Sequence, residues 1–208
     1  MTEPCERCGR APGVCVCALV EPFATRVRVL VLQHPKEHDH VLGSAGLLAQ
    51  CLPWVRLAVG LSWPSLAAAA DDPKVEPRRW AVIFPDGEER GSVREAGGIA
   101  YRLVGPRGED ATPHGLDGLV ALDGTWSHAK SLWWRNPWLL KLARLTLLPR
   151  EPSIYGRLRP EPKREYVSTL EAVADALVLT GEPEATRGAL RRVFRTLVQR
   201  VRDASPPG

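Results

Sequence analysis

The chain has 208 residues, 44% of them hydrophobic and 25% charged, a globular balance that excludes wholesale disorder and gives enough chain for one sizeable core. Its 28 basic and 24 acidic residues leave a formal charge of +4, which permits a polyanionic partner without requiring one. No apolar run reaches the roughly 20 residues of a membrane span, and the start MTEPCERCGR has no charged-then-apolar leader pattern, so the expectation is a cytoplasmic protein without membrane association.

Four of the five cysteines lie in the first 17 residues. Cys5 and Cys8 make a C-x-x-C pair, and after a gap of six residues Cys15 and Cys17 make a C-x-C pair. Zinc accepts four thiolates tetrahedrally, and Gly9, Pro12 and Gly13 let the chain double back to close such a site. Four cysteine ligands leave no open coordination position, so the expected zinc is structural; free or redox-active thiols are the alternative. Residues 1–24 have few large apolar side chains and are expected as a zinc-binding module ahead of a main domain over residues 25–208.

Apolar, β-branched runs then alternate with helical patterns. RVRVLVLQ (26–33) reads as a strand, VLGSAGLLAQCL (41–52) as a helix holding a buried, inert Cys51, and VRLAVGLSW (55–63) and RRWAVIFP (78–85) as strands. DDPKVEPRRW (71–80) and DGEERGSVREAGG (86–98) read as polar surface connections. LVALDG (119–124) is a strand that leads into the helical TWSHAKSLWWRN (125–136), and LARLTLLP (142–149) is a further strand. The alternation predicts an α/β fold with a largely parallel sheet flanked by helices. REPSIYGRLRPEPKRE (150–165) is too rich in Pro and Arg for a regular helix, but Ser168 and Glu171 fit a capping box that starts a helix ending at Gly181. A last helix over 184–202 turns Leu190, Val193, Phe194, Leu197 and Val201 to the core.

HPKEHDH carries His34, His38 and His40 but lacks the i, i+4 helical face of a histidine metal site, and reads as a solvated or substrate-facing loop. Asp123 stands at the C-terminal end of an apolar strand, where open α/β sheets bind ligands; a helix-starting turn residue is the competing reading. Trp126 offers an aromatic face to a base or an adenine, while Trp133, Trp134 and Trp138 are assigned mostly to packing. Thr125, Ser168 and Thr169 bring hydroxyls and N–H groups at helix starts that suit a carboxylate or a ribose, although capping alone explains Ser168. Arg157, Arg159 and Arg164 in the Pro-rich stretch, and Arg187, Arg191 and Arg195 at i, i+4 spacing, are candidate contacts to nucleic-acid phosphates.

The run Asp123-Gly124-Thr125-Trp126 resembles the D-x-T-W motif of the DTW-domain family, and other pieces agree in order: CERCGRAPGVCVC, LQHPKE, VIFPDGE and YGRLRPEPKREYVSTLEAVADAL. One departure is at Gly43 and Ser44, where the family carries an Asn-Thr pair. The resemblance implies a tRNA-uridine aminocarboxypropyltransferase that uses S-adenosylmethionine and releases methylthioadenosine, with tRNA as partner and no protein partner implied. It also implies a SPOUT-like fold with a C-terminal knot, Asp123 as the base or as a binding group, cofactor contacts at Thr125, Trp126, Ser168, Thr169 and the backbone of Leu147 and Leu148, and Arg159 as the strongest RNA contact. A SPOUT-like RNA methyltransferase and a non-catalytic zinc-containing RNA-binding protein are the competing readings.

Overall fold

The structure, a computed structural model, describes residues 3–38, 40–84, 91–159 and 167–204. Seven strands form one sheet: β1 (Arg28–Gln33), β2 (Val55–Val59), β3 (Trp80–Ile83), β4 (Arg94–Ala96), β5 (Ile99–Val104), β6 (Gly118–Asp123) and β7 (Ala143–Leu147), in the order β2-β1-β6-β3-β7-β5-β4. The first five strands of that order run parallel, and β5 and β4 close one edge in antiparallel fashion. The parallel α/β expectation therefore holds for the sheet's centre.

The β4–β5 hairpin corrects the reading of 86–98 as a mere connection. Gly97 and Gly98 both take positive φ, 55° and 71°, the backbone that a tight hairpin turn demands and a side chain resists. The hairpin was hidden because its first strand is three residues long and polar, REA. The sequence reading also missed α2 (Leu66–Ala70), an alanine-rich turn capped by Ser65.

The central strands are buried on both faces. In β1, Val29 and Val31 join one core with α1 (Ser44–Cys51), α4 (Thr169–Leu179) and α5 (Glu184–Ala204), while Leu30 and Leu32 join a second core on the other face. That second core is covered by α2, by α3 (Trp126–Arg135) and by the 3-10 turn Pro137–Lys141. Leu190, Phe194 and Leu197 of α5 and Cys51 of α1 are buried as expected. Trp134 is not in a core: it is 75% exposed, whereas Trp138 is buried and Trp133 stacks on Phe84 at 4.4 Å.

The cysteine segment shares the first core instead of standing apart from it. Val16 and Val20 are buried in the same cluster as α4 and α5, and Arg10, itself buried, donates to the carbonyls of Val41 at 2.8 Å and Gly43 at 3.0 Å. Arg200 of α5 bonds the Cys15 carbonyl. Packing is thus continuous across residue 24.

Candidate active site

The site grows out of strand register. Gln33 and Asp123 are the last residues of β1 and β6 and face each other directly in the parallel pairing. The two-residue period that sends Val29, Val31, Leu119 and Ala121 into the α4-side core sends Gln33 and Asp123 to that same face at the strands' C-terminal edge. There α4 meets them with its first residue.

Asp123 is 6% exposed, and each of its oxygens accepts a side-chain hydrogen bond: Oδ1 from Thr169 Oγ1 at 2.6 Å and Oδ2 from Gln33 Nε2 at 2.8 Å. Burial pushes its carboxyl above the ordinary value against those two bonds, with the charge of Glu37 adding to the rise and that of Arg159 opposing it. Gln33 Oε1 is buried and has no hydrogen-bond partner among the described residues. An orphaned acceptor beside a desolvated carboxylate is a place where a ligand N–H fits.

A second carboxylate lies alongside. Glu37 follows β1 in a 3-10 turn, Pro35–Glu37, and is buried. Its Oε2 accepts from Arg159 at 2.8 Å; its Oε1 accepts from the Thr125 backbone N–H at 3.2 Å and lies 3.1 Å from His128 Nδ1. Burial acts to raise the Glu37 pKa, but the bond and charge of Arg159, with the His128 and Thr125 bonds, outweigh it and hold the carboxyl below its ordinary value. His128 stacks on His34 with ring centroids 3.9 Å apart, and burial followed by the His128 charge pushes the His34 pKa down. Arg159 completes the group, with its guanidinium carbon 5.6 Å from the Tyr155 ring centroid.

Gly124 makes this junction close. Its φ is 154°, and a Cβ there would fall 2.6 Å from His128 Cβ. Thr125 is the N-cap of α3, its hydroxyl accepting from the His128 N–H at 3.4 Å, so the turn reading and the functional reading of this corner hold at once.

The structure therefore brings together Asp123, Thr125, Thr169 and Arg159 among the expected residues, places His34 of the solvated or substrate-facing loop beside them, and adds Gln33, Glu37 and His128. The H-P-x-E turn directly after a strand marks out Gln33 and Glu37 as strand-end neighbours, but no local signal in it or in WSHAK tells that Glu37 and His128 meet. Trp126 is half-buried and stacks with Phe84 at 6.1 Å. Ser168 is consumed by the capping box with Glu171, which also takes the Ser153 hydroxyl at 2.7 Å.

Leu147 and Leu148 lie elsewhere, on the wall of a cleft of about 400 Å³ shared with Val167, Glu171, Arg191 and Arg195. The Leu148 N–H donates to Ala100 at 2.8 Å, so that amide belongs to the sheet and is closed to a cofactor. Arg191 is not a free cation: it donates to both oxygens of buried Asp175 at 3.0 Å, and Arg187 lies 3.7 Å from the same carboxylate. Arg195 is exposed. Arg157 lies in the 3-10 turn Gly156–Leu158, and Arg164 lies outside the described residues.

The four cysteines fit a tetrahedral metal. Their sulfurs lie within 4.8 Å of one another, with Cys5–Cys17 at 3.9 Å and Cys8–Cys15 at 3.7 Å, and no disulfide joins them. Zinc–sulfur bonds of ~2.3 Å imply tetrahedral edges of about 3.8 Å.

A carboxylate held at the C-terminal edge of a parallel α/β sheet beside a D-x-T-W corner defines a class. The chain belongs to the DTW domain family, whose pattern matches residues 2–202 and so includes the cysteine segment. It is similar to tRNA-uridine aminocarboxypropyltransferase 2 of Macaca fascicularis, 26% identical over 198 residues that make up 93% of this chain and 61% of the relative. The Drosophila melanogaster protein of that name is 31% identical over 199 residues, 93% of this chain and 72% of the relative. The Arabidopsis thaliana tRNA-uridine aminocarboxypropyltransferase A is 27% identical over 188 residues, 83% and 70%. The chain thus spans about three fifths of the length of the mammalian relatives. No solved structure matches it significantly.

Proposed function

We propose that the chain is a tRNA-uridine aminocarboxypropyltransferase, which moves the 3-amino-3-carboxypropyl group of S-adenosylmethionine to the imide nitrogen of a tRNA uridine. The observation that carries this reading is the buried Asp123 cluster at the D-x-T-W corner, in a chain alike over nearly its whole length to enzymes of that name. A new N–C bond forms to the donor's γ-carbon, the C–S bond breaks with its electron pair retained by sulfur, and methylthioadenosine leaves as a neutral thioether. The imide proton passes to Asp123, whose desolvation makes it a stronger base than an exposed aspartate. Thr169 and Gln33 hold that carboxylate in place.

The wider reading goes with it. The path after β7 is SPOUT-like, with a C-terminal knot, and the protein is cytoplasmic. Residues 1–24 hold zinc on Cys5, Cys8, Cys15 and Cys17, and residues 25–208 form the catalytic domain. Thr125, Trp126 and Thr169 line the donor site. Arg157, Arg164 and Arg195 grip tRNA phosphates, with Arg191 acting from its Asp175 support.

Incubating the protein with unmodified tRNA and S-adenosylmethionine, followed by mass spectrometry of nucleosides and small molecules, tests the reading. Aminocarboxypropyluridine with methylthioadenosine is expected. Methyluridine with S-adenosylhomocysteine, or tRNA binding without a product, overturns it in favour of a methyltransferase or a binding protein.

A further inference from the structure

The sulfonium of S-adenosylmethionine has three carbons open to attack, so a transferase for the aminocarboxypropyl group has to fix that arm and not the methyl group before its nucleophile. The arm ends in a carboxylate and an ammonium, and gripping them requires charges of both signs in one place.

The cluster of Asp123, Arg159 and Glu37 supplies this. Arg159 has a side chain 21% exposed, gives one hydrogen bond to Glu37 and lies over the Tyr155 ring. Glu37 is itself fastened by the Thr125 N–H and His128, so the guanidinium is braced from a buried point next to the D-x-T-W corner. Arg159 and Asp123 are close enough for each charge to act on the other. A tRNA phosphate calls for an outward-facing cation, whereas an arginine tied to a 5%-exposed carboxylate is suited to a small anion that enters the site.

Resting on the transferase reading above, we propose that the Glu37-braced Arg159 guanidinium binds the α-carboxylate of the donor's aminocarboxypropyl arm and thereby selects which sulfonium carbon faces the uridine. Gln33 Oε1, the orphaned acceptor beside Asp123, receives the arm's ammonium. Arg159 is then a donor-binding residue, Glu37 its positioning residue, and the phosphate role expected from the sequence falls away.

The test is calorimetric titration of the full-length protein with S-adenosylmethionine, decarboxylated S-adenosylmethionine and methylthioadenosine, which share the nucleoside and differ in the arm. Wild type is expected to prefer the carboxylated donor by about tenfold or more, the worth of one charged hydrogen bond. Arg159→Lys, which keeps the charge and loses the fork, is expected to bring that preference close to one while methylthioadenosine affinity is unchanged. Glu37→Gln should lower the preference by a smaller factor. A preference that survives Arg159→Lys overturns the proposal, as does an equal loss for all three compounds or weakened tRNA binding with donor affinities intact. If none of the three binds the wild-type protein, the transferase reading itself fails and takes the proposal with it.

Discussion

The thiol cluster and the carboxylate cluster are both tight polar groups at the margin of the same core, but they are assembled by opposite means. The first takes every ligand from residues 5–17, and chain reversals at Gly9 and Pro12-Gly13 suffice to bring four sulfurs within 4.8 Å. The second gathers Gln33, Glu37, Asp123, Thr125, His128, Arg159 and Thr169, which meet only because β1 and β6 pair in register and α4 docks at their ends. Local spacing encodes one and tertiary structure the other. The local cluster should consequently fail as a unit, whereas members of the assembled one should separate stability from chemistry.

The largest effect is expected from the thiols. Replacing Cys5 and Cys8 together by Ser removes two of the four thiols proposed to hold zinc, and metal binding to such segments is itself folding free energy on the order of 10 kcal/mol. Because Val16 and Val20 of this segment are buried in the α1, α4 and α5 core, the loss should reach the whole domain. Native mass spectrometry should show one zinc lost per chain together with a large fall in Tm. Retention of the wild-type Tm after metal loss would mean that the packing of Arg10, Val16 and Val20 holds the segment without its metal.

Next comes Glu37→Gln, which leaves Arg159 beside a neutral amide. Breaking a buried ion pair in this way costs about 3 kcal/mol, at the low end for such pairs because Arg159 is 21% exposed. The pH dependence has a definite sign. A carboxyl whose folded pKa lies below its unfolded value stabilises the fold above the unfolded pKa, and that stability is lost as the pH falls through the lowered value. Urea unfolding of Glu37→Gln should therefore differ most from wild type at neutral pH and converge with it in acid. A constant gap at all pH values would assign the effect to packing instead.

Asp123→Asn should do the reverse. The Asp123 pKa is raised by burial, so its stabilising contribution is present below the unfolded pKa and disappears as the pH rises through the folded value. Removing the charge is expected to leave the fold as stable as wild type at neutral pH, or about 1 kcal/mol more stable, in the manner of active-site groups held against stability. Gln33 can turn its unpartnered Oε1 toward the new amide. Transfer should nevertheless fall by about 10²-fold or more, the usual weight of a general base. Normal transfer rates would take the base assignment away from Asp123.

What the sequence made legible follows the same division. The cysteine spacing, the apolar strands of the parallel sheet and the Ser168–Glu171 capping box are patterns within a few neighbouring residues, and each could be located. Asp123 was legible through the corner motif at a strand end. Glu37 and His128 were not, because nothing within HPKE or WSHAK says that the two segments will meet across the β1–β6 junction. Arg159 and Arg191 were read as phosphate contacts because a sequence displays their charge and hides their acidic partners, Glu37 and Asp175. The short polar strand Arg94–Ala96 escaped for the related reason that its hydrogen bonds depend on a neighbour, β5.

The smallest effect separates the two arginines that share the 400 Å³ cleft. Arg191 is fixed by both oxygens of Asp175, a carboxylate that burial pushes up in pKa while Arg191 and Arg187 pull it down. Truncating Arg191 to Ala should expose that carboxylate's desolvation cost and appear in unfolding. Arg195 lies one turn further along α5 and is exposed. Arg195→Ala should accordingly leave Tm within the small range of an ordinary surface change. If Arg195 meets a tRNA phosphate, it releases about one counterion on binding, so its loss should lower the slope of log affinity against log salt by ~0.7–0.9. That difference in slope, with stability intact, distinguishes a cation kept for RNA from one kept for the fold; an unchanged slope makes Arg195 a solvated surface residue and moves the phosphate grip toward the Pro-rich stretch around Arg157.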